Sequence, residues 1–328
     1  MKGLYIDRYI ENVNELTINH DLEAPEAYGD DVLVHVRAGG IGYPDYLHAQ
    51  GKHQAKMGFP MILGIEVAGV VIKAGENSKF KLGDRVLGLG TQALADYTIM
   101  QEGDIFKIPD NLSFEQAASI PLNYPTNYIS LFHCGQLKKG QWCVVHGGTG
   151  GLGLSAIQLC KIRGINVIAT GTNNTKLKTA KAVGADHVLN IIENPTWWQK
   201  VNEITNGKGV DMIYDPVGQV EKSLNCIKFE GRIVVVGFAA GKIEKINMKG
   251  VFEKNCSLVG MTIAEYMIDN NPIFQECYQA LFKWIESGEL VPQMHDERLY
   301  LTDKDVRKAF DLIVTRKSLM KLVLTVNY

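Results

Sequence analysis

Between Trp142 and Arg163 the chain reads WCVVHGGTGGLGLSAIQLCKIR, and this stretch restricts the fold more than any other. Trp142–Val145 is a short apolar run of the kind that forms a buried parallel strand. It breaks into Gly148-Thr149-Gly150-Gly151-Leu152-Gly153, a complete G-x-G-x-x-G, then into an amphipathic helix ending near Gly164. That order suits a dinucleotide pyrophosphate. The first glycine permits a tight turn, the second lets backbone approach the phosphates, and the third lets helix pack closely on strand. The free N–H groups and the dipole at the helix N-terminus attract the anion.

The texture around this loop is strand–helix alternation. Strands are predicted at 142–145, 166–170, 187–189, 211–214, 232–236 and 257–261, with helices at 153–162, 175–183, 196–205 and 219–228. Six strands with crossover helices make an α/β, doubly wound parallel sheet, the Rossmann arrangement. Upstream, Val32-Leu33-Val34-His35-Val36, 67–72 and 85–89 are short runs separated by Gly, Asp and Asn turns, which predicts a β-rich or barrel-like region. The last segment returns to an amphipathic helix at 300–315 and a final strand at 321–326, expected to rejoin the β-rich region. A ligand is then expected in a cleft between two domains.

The bulk numbers remove several classes. The 328 residues suffice for two cored domains, and 46% hydrophobic with 21% charged residues is ordinary for a globular protein. A net charge of −2 offers no electrostatic reason to expect nucleic acid or an anionic membrane. No apolar run reaches a membrane span, and the acids Asp7 and Glu11 argue against a transit peptide, so the cytoplasm is the expected compartment. Six scattered cysteines without a C-x-x-C pair read as reduced core residues.

An acid about twenty residues past the glycine loop would bind a free ribose 2′-hydroxyl and repel a 2′-phosphate. Here Val167-Ile168-Ala169-Thr170 runs into Gly171-Thr172-Asn173-Asn174-Thr175-Lys176, with no acid until Asp186. Thr172 and Lys176 are candidates to bind a phosphate by hydrogen bond and by charge, which favours NADPH. A solvated loop with a helix cap at Asn174 fits the same residues, and the two readings are compatible.

Several stretches jointly carry a resemblance: Gly64-Ile65-Glu66-Val67-Ala68-Gly69-Val70-Val71, Lys81-Leu82-Gly83-Asp84-Arg85-Val86, 121–128, 146–153, Val183-Gly184-Ala185-Asp186-His187, 209–218 and 231–237. Together they resemble the zinc-free quinone oxidoreductases of the medium-chain dehydrogenase/reductase superfamily, the group that includes zeta-crystallin. The resemblance implies a GroES-like substrate domain over 1–121 and 265–328, a Rossmann NADP-binding domain over 122–264, and a homodimer paired through edge strands. It also implies cofactor contacts at Thr126, Thr149, Gly150, Gly151, Leu152, Gly153, Thr172, Lys176, Asp215, Gly218, Gly237, Phe238, Ala239, Asn255 and Lys321, with Arg316 adding charge near the adenosine end. Zinc members carry metal ligands where this chain has Gly42 and Ile65, neither of which offers a donor, and the four-cysteine lobe after Val86 is missing. No metal is therefore expected. Two departures from the family stand out: Gly42 replaces a frequent Asn, and Ile191 replaces a tyrosine common near the 2′-phosphate.

Hydride addition to a quinone or an enone builds negative charge on oxygen, so the acceptor must be oriented, shielded and supplied with a proton. Tyr43-Pro44-Asp45-Tyr46 follows a glycine-rich strand end. Tyr46 or Tyr43 is expected as pocket wall and hydrogen-bond donor, with Asp45 orienting the loop. Simple aromatic packing is the competing account. His53 has no assigned role, and Glu66 is expected to pair with a base such as Arg85. The expected activity is metal-free, NADPH-dependent reduction of a quinone or other α,β-unsaturated carbonyl. The alternatives are an enoyl- or acryloyl-thioester reductase, or a low-turnover NADPH-binding protein of crystallin-like or RNA-binding kind, against which the lack of a basic stripe argues.

Overall fold

A computed structural model describes residues 1–53, 56–76, 78–267 and 271–327. In chain order the first strands are β1 (Gly3–Ile6), β2 (Thr17–Asn19), β3 (Asp31–Ile41), β4 (Met61–Ile62), β5 (Glu66–Lys73), β6 (Arg85–Leu89), β7 (Tyr97–Gln101) and β8 (Ile105–Lys107). Helix α1 (Tyr43–Ala49) follows β3, and α2 (Phe114–Ala118) and α3 (Asn123–Tyr128) follow β8. Then come β9 (Trp142–Val145), α4 (Gly151–Ile162), β10 (Asn166–Gly171), α5 (Asn174–Val183), β11 (His187–Asn190) and α6 (Trp197–Ile204). β12 (Val210–Asp215), α7 (Val220–Ser223), β13 (Ile227–Val235), α8 (Met248–Lys254) and β14 (Ser257–Gly260) complete the alternation. The chain closes with α9 (Ala264–Met267), α10 (Pro272–Glu286), β15 (Leu299–Tyr300), α11 (Asp303–Val314) and β16 (Leu322–Thr325).

These elements form two compact units, Met1–Leu122 with Pro292–Tyr328, and Asn123–Val291. In the first unit β3 is the organising strand. Of its eleven residues, the eight from Asp31 to Ala38 alternate half-buried and buried, as a strand with one core face requires. It pairs antiparallel with β5, β7 and β16. Gly69 of β5 sits where an added Cβ would lie 2.3 Å from the His35 carbonyl, so only glycine lets these strands close. Helix α11 returns the chain to this core: Val306, Ala309 and Phe310 are fully buried in it. Two polar contacts pin the helix to the N-terminal segment. The Ile18 N–H donates to the Asp303 carboxylate at 2.7 Å, and Arg307 donates to the Leu16 carbonyl at 2.9 Å.

The second unit holds a six-stranded parallel sheet in the order β11-β10-β9-β12-β13-β14. The order reverses between β9 and β12, which creates the crevice at the carboxyl ends where doubly wound sheets bind ligands. One predicted helix differs. The segment 219–228 forms only the short α7, because β13 already begins at Ile227. The expected domain division differs too, since 265–291 lies in the second unit. Phe274, Cys277, Tyr278, Leu281 and Ile285 recur at helical spacing and bury one face of α10. Tyr128 of α3 donates to the Glu276 carboxylate at 3.3 Å, and the Gln158 amide to the Val291 carbonyl at 2.9 Å, anchoring that segment.

The six cysteines are free, and all but Cys134 are buried. Among the described residues no helix is long and apolar enough to cross a membrane. If α11 belongs to the core of the first unit, Phe310→Ala should cost about 3–5 kcal/mol, the range for emptying a buried aromatic site. Thermal or urea unfolding reads this directly, and a loss below about 1 kcal/mol would mean the helix is peripheral.

Candidate functional site

The glycine loop leaves β9 with Gly147 at φ 60° and places Gly148 beneath the end of β10. Its N–H donates to the Thr170 carbonyl at 2.9 Å, and an added Cβ would lie 2.8 Å from the Ala169 Cβ. At Gly153 an added Cβ would lie 2.3 Å from the Gly147 carbonyl, so the helix meets its own loop at a distance no side chain permits. Gly150 is different: a Cβ there would meet only the Gly147 carbonyl, at 3.7 Å. The first and third glycines are spent on packing, and the second faces open space. Gly150 caps α4 without a side-chain hydrogen bond, leaving the first-turn N–H groups to point toward that space.

The neighbouring strand ends face the same way. Asp215 is buried at the end of β12. Its Oδ1 accepts from the Val217 and Gly218 N–H groups at 2.8 Å each, and its Oδ2 from the Gln219 N–H at 2.5 Å. The carboxylate therefore shapes the loop and is not presented bare. That loop is tied to the one after β13, because Ala239 N–H donates to the Pro216 carbonyl at 3.0 Å. Gly237 and Ala239 thus stand beside Pro216. At the end of β10, Thr172 is exposed and Lys176 half-buried, with the helix capped by Asn173, one residue before the expected cap. Burial holds the Lys176 pKa below its ordinary value. Asn190 donates to the Asn174 side chain at 2.9 Å, so β11 braces the start of α5. Thr126 is buried in α3, and its carbonyl accepts from Ser130.

Asn255 does not join this group. It is the left-handed C-cap of α8, two residues before β14 begins, and Ser257 lies level with Arg232, Met212 and Cys143 across the parallel sheet. Those residues mark the amino end of the sheet, whereas the glycine loop follows its carboxyl end.

Sequence reasoning also passed over His146. It is buried, with Nδ1 2.8 Å from Thr170 Oγ1 and Nε2 3.0 Å from Ser223 Oγ. Ser223 donates its own proton to the Gln219 carbonyl, so the network assigns the imidazole hydrogen to Nε2. Burial holds the His146 pKa down, with the Asp215 carboxylate pulling it up. A polar residue at the end of an apolar strand was the available signal.

In the first unit the expected Glu66–Arg85 pair is replaced. Glu66 is fully buried and ion-paired with buried Lys321, while its other oxygen accepts from the Leu122 N–H at 3.2 Å. Arg85 instead donates to the Leu112 carbonyl and lies over the Phe114 ring at 4.8 Å. β16 pairs with β3 and so delivers Lys321 beside Glu66, a partner 255 residues away in the chain. A Cβ at Gly42 would stand 3.4 Å from the Lys321 ammonium and 3.8 Å from Asp45 Oδ2. Lys321, expected at the cofactor, is therefore committed to a carboxylate within its own unit. Asp45 is buried and accepts from the Gly42 N–H at 2.7 Å, which orients the start of α1. Burial pushes its pKa up to about 6 against the pull of Lys321 and of that N–H, and Glu66 adds to the rise. Tyr46 packs on the core of the first unit, and Tyr43, more exposed, lies 6.4 Å away between ring centroids. His53 stacks on His48 at 3.8 Å. Arg316 lies in the turn after α11 with φ 55°. Among the described residues no three His, Cys, Asp or Glu side chains converge as a metal site.

Two family models match the chain: an alcohol dehydrogenase GroES-like domain over residues 28–110, and a zinc-binding dehydrogenase over 151–287. The quinone oxidoreductase of Homo sapiens is 32% identical over 282 residues, 84% of this chain and 84% of that protein. A quinone oxidoreductase structure from Pseudomonas syringae is 30% identical, with a TM-score of 0.88 over 99% of each chain. The Escherichia coli quinone oxidoreductase complexed with NADPH is 26% identical, with a TM-score of 0.88 over 99% of this chain and 100% of that one.

The Asp45 environment has a measurable consequence. Between about pH 4 and pH 6 the folded protein holds a proton that the unfolded chain releases, so this group's contribution to stability falls as pH rises through that window. Asp45→Asn removes the charge and keeps an oxygen for Gly42. The stability of D45N relative to wild type should therefore grow from pH 4 to pH 7, by up to roughly 3 kcal/mol. A pH-independent difference between the two unfolding curves would refute the buried-carboxyl account.

Proposed function

Because the chain belongs to the quinone oxidoreductase family of the medium-chain dehydrogenase/reductase superfamily, we propose that it transfers hydride from NADPH to a quinone or another α,β-unsaturated carbonyl. The observation that carries the cofactor choice is the end of β10. Thr172 and Lys176 stand there, and no acid occurs between Thr170 and Asp186. A ribose 2′-phosphate is received by a hydroxyl and an ammonium, and the segment 171–185 brings no acid of its own to repel it. The glycine loop fits the rest of the group. Open space at Gly150 and the first-turn N–H groups of α4 suit a pyrophosphate, and the 216–218 and 237–239 loops supply adjoining wall. The relatives named above are quinone oxidoreductases, one of them complexed with NADPH.

When bound, the reduced nicotinamide supplies the hydride. The protein orients the donor and the acceptor and keeps water from the developing charge. Thr126 and the 237–239 loop hold the nicotinamide side. Tyr46 or Tyr43 forms acceptor-side wall and offers a hydrogen bond to the reduced oxygen. Asp45 fixes the strand-to-helix turn that carries both tyrosines. No metal is needed in this reading: positions 42 and 65 bring no donor atom. The protein works as a homodimer joined through β14, which ends the sheet next to the exposed Phe252 and Met248 of α8.

Steady-state oxidation of NADPH with 9,10-phenanthrenequinone, simple enals and an enoyl thioester tests the activity. Turnover with the quinone is expected, and tight NADPH binding with no turnover on any of the three would sink the enzyme reading. Lys176→Ala should raise KM for NADPH by about tenfold, one lost charge-assisted phosphate contact, and leave NADH within about twofold. Equal losses for both coenzymes would remove the phosphate role. Phe252→Glu should shift the protein toward a monomer in size-exclusion chromatography, and an unchanged dimer peak would point to another interface.

A further inference from the structure

Asn127 follows Thr126 in α3 and is fully buried. Its amide nitrogen donates to the Leu152 carbonyl at 2.8 Å and to Ser155 Oγ at 2.7 Å. Its amide oxygen accepts from the Tyr214 hydroxyl. Ser155 passes its own proton to the Gly151 carbonyl at 2.9 Å. Both N–H groups and the carbonyl of the amide are thus satisfied in a buried core, where an unpaired amide or phenol costs more than an apolar residue of the same shape.

The partners are not scattered. Leu152 and Ser155 belong to the start of the helix that opens at the glycine loop. Tyr214 directly precedes Asp215, which organises the loop after β12. Thr126 is the adjacent residue on α3, and its carbonyl is held by Ser130 where the helix widens into a π-helical turn at Ile129–Cys134. One amide therefore ties together three segments assigned above to the coenzyme: Thr126 at the nicotinamide side, the glycine-loop helix at the pyrophosphate and the loop after β12 as adjoining wall. If packing alone were required, Leu at 127 and Phe at 214 would fill the same volume without polar groups to satisfy.

We propose that Asn127 is a positioning residue for the dinucleotide, setting the spacing of the glycine-loop helix, the Asp215 loop and Thr126 through Tyr214 and Ser155. The proposal rests on the NADPH reading. It concerns geometry held at a distance, since Asn127 has no open face toward a ligand.

The double variant Asn127→Leu with Tyr214→Phe separates this role from a structural one, because removing both polar ends together leaves no buried orphan. Its melting temperature should stay within a few degrees of wild type. Its Kd for NADPH, read from the fluorescence of the bound coenzyme, should rise about tenfold, with a changed emission maximum and an unchanged quinone KM at saturating NADPH. A double variant that melts and binds NADPH as wild type does would overturn the proposal. Should the double variant fail to fold, Tyr214→Phe alone decides. Losing one hydroxyl should raise Kd at least threefold, and an unaltered Kd would overturn the proposal. Wild-type protein that does not bind NADPH would overturn the cofactor reading as well.

Discussion

At Gly153 the start of a helix lies closer to its own loop than any side chain allows, and the nucleotide-binding half of this chain depends on that contact. It turns β9 directly into α4, aims the first-turn N–H groups past Gly150, and leaves the carboxyl end of the sheet open. A methyl group at 153 would push the helix away from the loop. Around this approach the remaining segments are arranged by hydrogen bonds with few alternatives. The Asp215 carboxylate curls one loop, the next loop hangs on the Pro216 carbonyl, and His146 joins Thr170 to Ser223 beneath them.

The first unit is governed by a different constraint, the cost of burying charge. Two carboxylates, Asp45 and Glu66, share its interior with one ammonium, Lys321. Glu66 and Lys321 neutralise each other directly, and Asp45 is left with a backbone N–H and a raised affinity for a proton. Such a cluster stabilises less than its Coulomb attraction suggests, because desolvation offsets much of it. It does impose a geometry: β16 must return beside β3 to deliver Lys321, and α1 must begin where Asp45 meets Gly42.

Periodicity in the sequence was enough to recover the six parallel strands, since fully buried strands read as apolar runs and glycines punctuate the turns between them. The glycine loop and the missing acid after Thr170 were legible because each depends on residues adjacent in the chain. The errors share a cause. Glu66 was assigned Arg85, a partner on a nearby strand, whereas the ammonium comes from the far end of the chain. Asn255 matched a pattern of contacts yet lies at the wrong end of the sheet, which depends on where β14 starts relative to β13. The 265–291 segment is grouped with the first unit by resemblance, while its apolar stripe places it in the second.

By itself the sequence determined the fold class, the glycine loop between a strand and a helix and the absence of metal-donating side chains at positions 42 and 65, because these follow from local residue chemistry. Only the tertiary structure decided that Lys321 answers Glu66, that Asp45 is a buried acid, and that Asn127, Tyr214 and Ser155 form one satisfied network. Buried polar groups must find partners, and which partner is within reach is set by strand order and helix packing, properties that no local stretch of sequence contains.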